Sequence, residues 1–235
     1  MSKFGVNLSE NYWDKQWLDK FDHYQNDKRF AYYVRAILNK DENKLLEIAA
    51  GSFRDVATLN NWGYDCCGID FSAKSIKMAK EFYSNIEDKI CFQDAFSMSS
   101  LDKCFDLSYH NGLWGYFEND DIENLLKEQI RVTKKRVVAT VHNAHNAQFV
   151  DYFKRLTLED PLYNIRFFQI DEMKSLMSPY CKSVEVIPVG KGKKFYEDDL
   201  INIGLGDAKN IKKSFDFHGL NLLESSERLL CIGTI

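Results

Sequence analysis

Short apolar segments alternate with amphipathic helices along the first 142 residues, and this alternation limits the fold more than any other feature. The apolar segments lie at residues 44–50, 64–69, 89–92, 105–109 and 136–141. Helical periodicity falls between them, at residues 55–62, 73–83 and 120–132. Strands that are apolar throughout are typical of a parallel sheet that helices cover on both faces. The sequence therefore predicts an α/β fold.

The two ends of the chain predict further elements. Residues 9–38 have helical periodicity, and aromatic rings recur there at three- and four-residue spacings. These rings belong to Trp13, Trp17, Phe21 and Tyr24. Residues 171–178 predict another helix, and residues 183–189 and 228–235 predict two strands with a long loop-rich segment between them. Because no linker or repeat interrupts this pattern, residues 1–235 are predicted to form a single domain.

Composition excludes several classes of protein. The chain has 31 Lys and Arg against 35 Asp and Glu, a net charge of −4, which argues against binding to nucleic acid through a basic face. No apolar run has the length of a membrane span or the form of a signal peptide, so we expect a cytoplasmic protein without membrane contacts. None of the six cysteines forms a Cys-x-x-Cys pair, and no metal site is predicted. The oligomeric state is left open.

Acidic residues lie at or near the ends of three successive predicted strands. These residues are Glu47, Asp70 and Asp94, and the turn after Glu47 contains Gly51. In an open α/β sheet, ligands bind beyond the carboxyl ends of the strands. A carboxylate there can accept hydrogen bonds from ribose hydroxyls or from an exocyclic amine, and Phe71 or Phe96 can pack on a purine ring. The three positions together predict a site for a nucleoside-containing cofactor.

The same stretches resemble the class I, Rossmann-like S-adenosylmethionine-dependent methyltransferases. The resemblance lies in residues 45–52, 63–72, 93–96 and 105–109. It implies a seven-stranded, mostly parallel sheet with helices on both faces and an antiparallel last strand beside the fifth. It also implies three parts: an N-terminal helical lid (1–40), a cofactor-binding half (41–142), and an acceptor insert with closing strands (143–235).

The resemblance assigns cofactor roles by position. Glu47 would support the methionine amino end, Gly51 would lie beside the cofactor, Asp70 would bind the ribose and Asp94 the adenine amine. The full predicted cofactor set is Tyr12, Glu47, Ala49, Gly51, Asp70, Phe71, Asp94, Ala95, Phe96, His110 and Asn111. The sequence departs from the family in one place, because Ala49 and Phe53 stand where the first and third glycines of the turn are expected.

The methyl acceptor is predicted to be a small polar or anionic metabolite that is methylated on nitrogen or oxygen. His110 and His142 follow or end predicted strands, and they are the candidate catalytic bases. Tyr109 and Tyr116 are further candidates on the acceptor side. A phosphorylated or nucleotide-linked acceptor could be held by basic residues, which are Arg166, Lys191, Lys193 and Lys194.

Two alternatives stay open at this point. A nicotinamide-dependent oxidoreductase would need Gly-x-Gly-x-x-Gly/Ala at the first turn, and the first and last positions from Ala49 do not match it. A noncatalytic or regulatory adenosylmethionine-binding protein could keep the fold without the activity, because fold alone does not establish function.

Overall fold

The fold is built on a central sheet of eight strands, described by a computed structural model over residues 2–3, 6–7, 9–25, 29–191 and 196–235. A separate two-stranded sheet contains β1 (Ser2–Lys3) and β2 (Val6–Asn7). The strands of the central sheet are β3 (Lys44–Ile48), β4 (Asp65–Asp70), β5 (Ile90–Phe92), β6 (Phe105–Asn111), β7 (Thr133–Asn143), β8 (Phe167–Phe168), β9 (Ser183–Lys191) and β10 (Ser226–Thr234).

The order of the sheet agrees with the predicted topology. It runs β5-β4-β3-β6-β7-β10-β9, and β8 pairs with the end of β7. The neighbours from β5 to β7 are parallel, and β10 is antiparallel to both β7 and β9. The prediction of an antiparallel last strand beside the fifth is therefore confirmed.

The predicted number of seven strands is wrong by one. The additional strand, β8, pairs in parallel with β7 through His142 and Asn143. Strand β6 ends at Asn111, which lies opposite Thr140, so β7 extends beyond its neighbour. The backbone groups of that extension would lack partners on one side, and β8 supplies them.

Nine α-helices are present in the described residues. They are α1 (Glu10–Tyr24), α2 (Arg29–Ile37), α3 (Arg54–Asn61), α4 (Ala73–Phe82), α5 (Asn119–Val132), α6 (Ala147–Leu156), α7 (Ile170–Met177), α8 (Glu197–Asn202) and α9 (Ala208–His218). The predicted helix at 9–38 is thus two helices. The segment predicted as loop-rich contains α8 and α9, and Phe215 of α9 packs on Tyr33 of α2 with ring centroids 5.8 Å apart.

Helices cover both faces of the sheet, as predicted. On one face, Leu107 and Val138 belong to a buried cluster that includes residues of α2, α3 and α9. On the other face, Val137 and Ala139 pack with residues of α5 and α7. Alternate residues of a strand point to opposite faces, so β7 contributes to both clusters.

None of the helices in these described ranges is long and apolar enough to cross a membrane. The cytoplasmic location stays a prediction.

Candidate active site

A cavity of about 350 Å³ lies at the carboxyl ends of β3, β4 and β6, beneath α1. Eight of the predicted cofactor residues line it, and they are Glu47, Ala49, Asp70, Phe71, Asp94, Ala95, Phe96 and Asn111. The parallel strands bring these residues together because their carboxyl ends meet at one edge of the sheet.

The turn between β3 and α3 has the backbone of a glycine-rich loop. Ala49, Gly51 and Phe53 have φ angles of 55°, 54° and 55°, so all three are left-handed. Only glycine adopts this conformation without a steric cost. Alanine and phenylalanine thus adopt, at this cost, the left-handed conformation that favours the expected glycines.

The Phe53 side chain turns away from the cavity. It is fully buried, at the start of α3, and its ring packs over Gly68 of β4. A methyl group added at Gly68 would lie 2.7 Å from Phe53 Cδ1, so the absence of a side chain there gives the ring its place. Phe53 thus joins the core beneath the helix and does not enter the cavity.

Asp70 joins the turn to the second strand. Its Oδ2 accepts a hydrogen bond from the Gly51 backbone N–H, and its Oδ1 accepts one from the Ser72 N–H, both at 2.9 Å. Burial raises the pKa of Asp70 to about 6, and these hydrogen bonds oppose the rise because they favour the charged form. A carboxylate has about four acceptor positions, so Asp70 can also accept from ligand hydroxyls in the cavity that it lines.

Glu47 is buried at the floor of the cavity beside Asp55 of α3. Tyr109 donates its hydroxyl hydrogen to Glu47 Oε2 at 3.2 Å. The pKa of Glu47 is raised well above its usual value, mainly by burial and next by the charge of Asp55, while Arg54 acts in the opposite direction. Two carboxyl groups and one guanidinium thus lie under the methionine end of the predicted cofactor site.

The opposite end of the cavity is apolar and more open. Asp94 is exposed, and its Oδ1 accepts the Phe96 backbone N–H at 2.9 Å. The ring of Phe96 is 39% exposed and meets Phe117 edge-on with centroids 5.4 Å apart. Together with Phe71 and Ala95, which line the same cavity, these residues form an apolar slot whose chemistry suits a flat heteroaromatic ring.

Helix α1 covers the cavity and fits the predicted N-terminal lid. One face of the helix lines the cavity, through Trp13, Gln16, Trp17, Lys20 and Tyr24. The Asp14 carboxylate accepts hydrogen bonds from Ser72 Oγ at 2.6 Å and from the Lys74 N–H at 3.0 Å. A methyl group added at Gly51 would lie 2.1 Å from Trp17 Cζ2, so the indole ring packs directly on the turn.

Comparison with known proteins agrees with this geometry. Residues 45–136 match the family model described as a methyltransferase domain. The match covers β3 to the start of β7, and over these residues the chain resembles a methyltransferase domain. The sequence matches none of the curated proteins.

Solved structures with the same fold cover nearly the whole chain. A SAM-dependent methyltransferase from Thermotoga maritima is 17% identical, with a TM-score of 0.64 over 95% of this chain and 98% of the other. One from Archaeoglobus fulgidus is 14% identical, with a TM-score of 0.64 over 92% and 94%. Geranyl diphosphate C-methyltransferase from Streptomyces coelicolor A3(2) is 12% identical, with a TM-score of 0.57 over 99% and 86%.

S-adenosylmethionine is the cofactor that the sequence resemblance implies, and the residues of the cavity fit it. The ring slot at Phe96, the Asp70 carboxylate and the Glu47 carboxyl group line a single cavity in the order of strands β5, β4 and β3. Their order matches a ribose between an adenine and an amino-acid end.

His110 does not line the cavity. Residues alternate between faces along β6, so Tyr109 points toward the first buried cluster and His110 toward the other side of the sheet. There its ring packs on Trp114 with centroids 4.8 Å apart, and neither ring nitrogen has a hydrogen-bond partner in the described structure. Burial lowers the pKa of His110 to about 3, so the ring is neutral.

His142 is also absent from the lining of the cavity, although it lies close behind it. Its Nδ1 is 3.2 Å from Nη1 of Arg228, and the rings of Phe153 and Phe167 surround it at 5.1 and 5.4 Å. Burial, followed by the Arg228 charge, lowers the pKa of His142 well below its usual value. His142 is therefore neutral, and its Nδ1 accepts a hydrogen bond that the Arg228 guanidinium donates.

Other predicted residues lie elsewhere. Tyr12 is not among the residues that line the cavity; its ring meets Trp13 edge-on with centroids 5.7 Å apart, and its hydroxyl has no hydrogen-bond partner within the described ranges. Arg166 is paired with Glu172 and lies 4.7 Å above the Phe168 ring, which gives it a structural role. Lys193 and Lys194 lie outside the described residues, and Lys191 is described only in its backbone.

Several residues of the site were missed by the sequence reasoning. Asp55 was read only as the start of a helix and Arg54 was not assigned to the cofactor site, although both line the cavity. Gln16 and Lys20 were not singled out, yet they follow Trp13 at helical spacings of three and seven. That spacing was the signal that would have placed them on the same face.

Proposed function

We propose that the protein transfers the methyl group of S-adenosylmethionine to a small-molecule acceptor that binds beneath α1. The observation that carries this proposal is the continuity of the cavity. It extends from the strand-end carboxyl groups at Glu47 and Asp70 to a ring-lined end at Trp13 and Tyr116. One ligand held at the carboxyl groups and another at the rings would therefore lie in contact.

Bound at this site, the cofactor supplies an electrophilic methyl group on a sulfonium. The residues proposed to hold it are Asp70 for the ribose hydroxyls, Asp94 for the adenine amine and Glu47 for the methionine amino end. An ammonium group beside Glu47 would favour its charged form, because opposite charges lower the pKa of a carboxyl group. We therefore expect cofactor binding to release a proton from the pair that Glu47 forms with Asp55.

The chain itself contributes alignment and exclusion of water. Trp17 covers Gly51, and Asp14 attaches the helix to the start of α4, so α1 closes the cavity from above. Holding two reactants in a closed site replaces a bimolecular encounter with an oriented one. Removing water also strengthens the electrostatic contacts of the carboxyl groups below.

A small acceptor is supported by the size of the space, and we propose nitrogen or oxygen as its methylated atom. The cavity has about 350 Å³ for cofactor and acceptor together, and Leu162 of the insert lines it beside Lys20. Two proteins of the same fold have small molecules in their descriptions: the Thermotoga maritima protein as a possible histamine N-methyltransferase, and the Streptomyces enzyme in complex with geranyl diphosphate.

The catalytic roles of His110 and His142 stay predictions. Both rings are neutral, and neither lines the cavity. We propose that transfer proceeds without a proton transfer to His110, because that ring faces the opposite side of the sheet. An amine acceptor would meet this condition, since it needs only to be bound in its neutral form.

The regulatory alternative loses its main support. That alternative depended on the departure from the family pattern at Ala49 and Phe53. Both residues have left-handed φ angles, so the turn forms without the two expected glycines. The oxidoreductase alternative is replaced by the match to a methyltransferase domain.

Two measurements test the proposal. Adenosylhomocysteine should raise the melting temperature of the protein, and a nicotinamide dinucleotide should not. S-adenosylmethionine with a deuterated methyl group should label one or more compounds in a mixture of metabolites, as detected by mass spectrometry. Asp70→Asn is the matched control and should reduce both signals. Binding without any labelled product would favour the regulatory alternative, and absence of binding would refute the proposal.

A further inference from the structure

Tyr109 of β6 is a buried side chain that reaches the cofactor site without lining the cavity. Its sequence position made it a candidate on the acceptor side, but its hydroxyl lies against Glu47 of the adjacent strand β3. The two residues are Cα partners in the parallel pair of β3 with β6. Paired residues of neighbouring strands point to the same face of a sheet, so the register brings the phenol and the carboxyl group together.

The Tyr109 ring is held in place by the first buried cluster of the core. It is fully buried, and it packs against the Phe30 ring of α2 with centroids 5.4 Å apart. Side chains in a close-packed interior keep a defined orientation. Packing therefore sets the position of the hydroxyl, and Glu47 accepts a hydrogen bond from a fixed donor.

A chain of hydrogen bonds crosses the sheet from Cys66 to Glu47. The Tyr109 hydroxyl oxygen is 3.7 Å from Sγ of Cys66 in β4, and the same hydroxyl donates to Glu47 Oε2 at 3.2 Å. Burial raises the pKa of the Cys66 thiol and of the Tyr109 hydroxyl well above their usual values, so each keeps its hydrogen. Because Tyr109 donates its only hydrogen to Glu47, the thiol is the donor to Tyr109.

Glu47 is the member of this chain that lines the cavity. It is 3% exposed, so a ligand meets only a small part of the carboxyl group. The other charged or titratable groups around it are Arg54 and Asp55 of α3, Asp70 of β4 and Tyr83 after α4. The Asp55 charge opposes ionisation of Glu47, whereas the Arg54 charge favours it. The hydrogen bond from Tyr109 acts in the same direction as Arg54, because a donor stabilises the charged carboxylate.

We propose that Tyr109 is a positioning residue for the cofactor, because its hydroxyl holds the Glu47 carboxylate ionised and oriented for the amino end of the methionine part. This role rests on the proposed function, which assigns that end of the cofactor to Glu47. Tyr109 acts through Glu47 alone, since it does not line the cavity itself. A buried carboxylate that loses a donor takes up a proton more readily, and a neutral carboxyl group attracts an ammonium less.

The test compares two ligands that differ in the amino-acid end. Adenosylhomocysteine carries this end, whereas methylthioadenosine has the same adenosine and sulfur without it. Each is titrated by calorimetry into the protein at neutral pH. We expect Tyr109→Phe to weaken the binding of adenosylhomocysteine about tenfold, the low end of the effect of a hydrogen bond to a charged group, and to leave the binding of methylthioadenosine within about twofold.

The pH dependence of the same comparison separates positioning from packing. The ratio of the two dissociation constants cancels the contribution of Asp70, because both ligands carry the ribose. In the unmodified protein, the preference for adenosylhomocysteine should grow as pH rises and Glu47 ionises. In Tyr109→Phe this growth should occur at higher pH, because the pKa of Glu47 rises further when its donor is lost.

Two further variants locate the effect. Glu47→Gln should show the same selective loss, and adding Tyr109→Phe to it should weaken adenosylhomocysteine little further, because both changes act through one carboxylate. Tyr33→Phe removes a hydroxyl from α2 in the same buried cluster and is the matched control, with the preference unchanged. Melting temperatures and the binding of methylthioadenosine show that each variant is folded.

Three results would overturn this role of Tyr109: an equal loss for both ligands in Tyr109→Phe, an unchanged preference in that variant, or losses that add fully in the double variant. If the unmodified protein fails to bind adenosylhomocysteine, the proposed function fails. If it binds adenosylhomocysteine and Tyr109→Phe leaves the preference and its pH dependence unchanged, only the role of Tyr109 fails.

Discussion

Replacing Ala49 or Phe53 with glycine should have opposite effects on stability, although both residues occupy the same left-handed conformation. For Ala49, the left-handed backbone costs about 1–2 kcal/mol relative to glycine. Glycine gains freedom in the unfolded chain, which lowers stability by about 0.4–1 kcal/mol. Ala49→Gly should therefore change the free energy of unfolding by between zero and about +1.6 kcal/mol.

Phe53 differs because its ring is fully buried over Gly68. Truncating a buried phenylalanine costs about 3–5 kcal/mol. The same relief of backbone strain and the same gain of freedom apply, so Phe53→Gly should lose about 1.4–5 kcal/mol. The sign of the effect is thus decided by packing and not by the φ angle.

Thermal unfolding is the assay, with and without adenosylhomocysteine. In a chain of this size, 1 kcal/mol corresponds to a shift of about 2–4 °C in the melting temperature. Ala57→Gly, in the right-handed backbone of α3, is the matched control and should lose about 1 kcal/mol. If Ala49→Gly is destabilised as much as this control, the reasoning about the left-handed turn is refuted.

Three further predictions concern the carboxyl group, the lid and the buried histidine. The pKa of Asp70 is about 6 in the folded protein against 3.8 ordinarily, so the free energy of unfolding should decrease as pH rises between those values. The affinity for adenosylhomocysteine should increase as pH rises through about 6, and Asp70→Asn should remove this dependence. A dissociation constant that does not change with pH would contradict the prediction. Gly51→Ala should lower the melting temperature because the added methyl group clashes with the Trp17 ring. Part of that loss should be absent in a Trp17→Ala background, and additive losses would show that the Trp17 ring does not contact Gly51. The pKa of His110 is lowered from 6.5 to about 3, so below pH 6.5 the unfolded chain binds a proton that the folded protein does not, and the free energy of unfolding decreases. His110→Leu should therefore raise the melting temperature more at about pH 5 than at about pH 8. An equal gain at both pH values would contradict the neutral buried ring.

Much of the cofactor half could be predicted because its signals are local. A run of apolar residues, a turn and an amphipathic helix are each encoded within about ten residues, and the predicted elements differ from the observed ones by a few residues at their ends. Parallel strands place their carboxyl ends at one edge of a sheet, so the meeting of Glu47, Asp70 and Asp94 on one cavity followed from their order along the chain.

The acceptor half could not be predicted in the same way. The helices α8 and α9 lie in a segment that was expected to be loop-rich, and α8 has only six residues. Strand β8 has only two residues, and it exists because the extended end of β7 offers it backbone partners. The pairing of Arg228 with His142 joins two strand ends that nothing in the local sequence connects.

The sequence by itself determined the fold class and the positions of the acidic residues in the cofactor half, because periodicity and chain order are properties of local segments. Only the tertiary structure decided which way the side chains point. His110 faces away from the cavity and Asn111 toward it because strand residues alternate. Phe53 packs beneath its helix because Gly68 leaves room there. Trp17, and not Tyr12, covers the turn because docking sets the rotation of α1 about its axis, and that rotation depends on contacts with residues distant in the sequence.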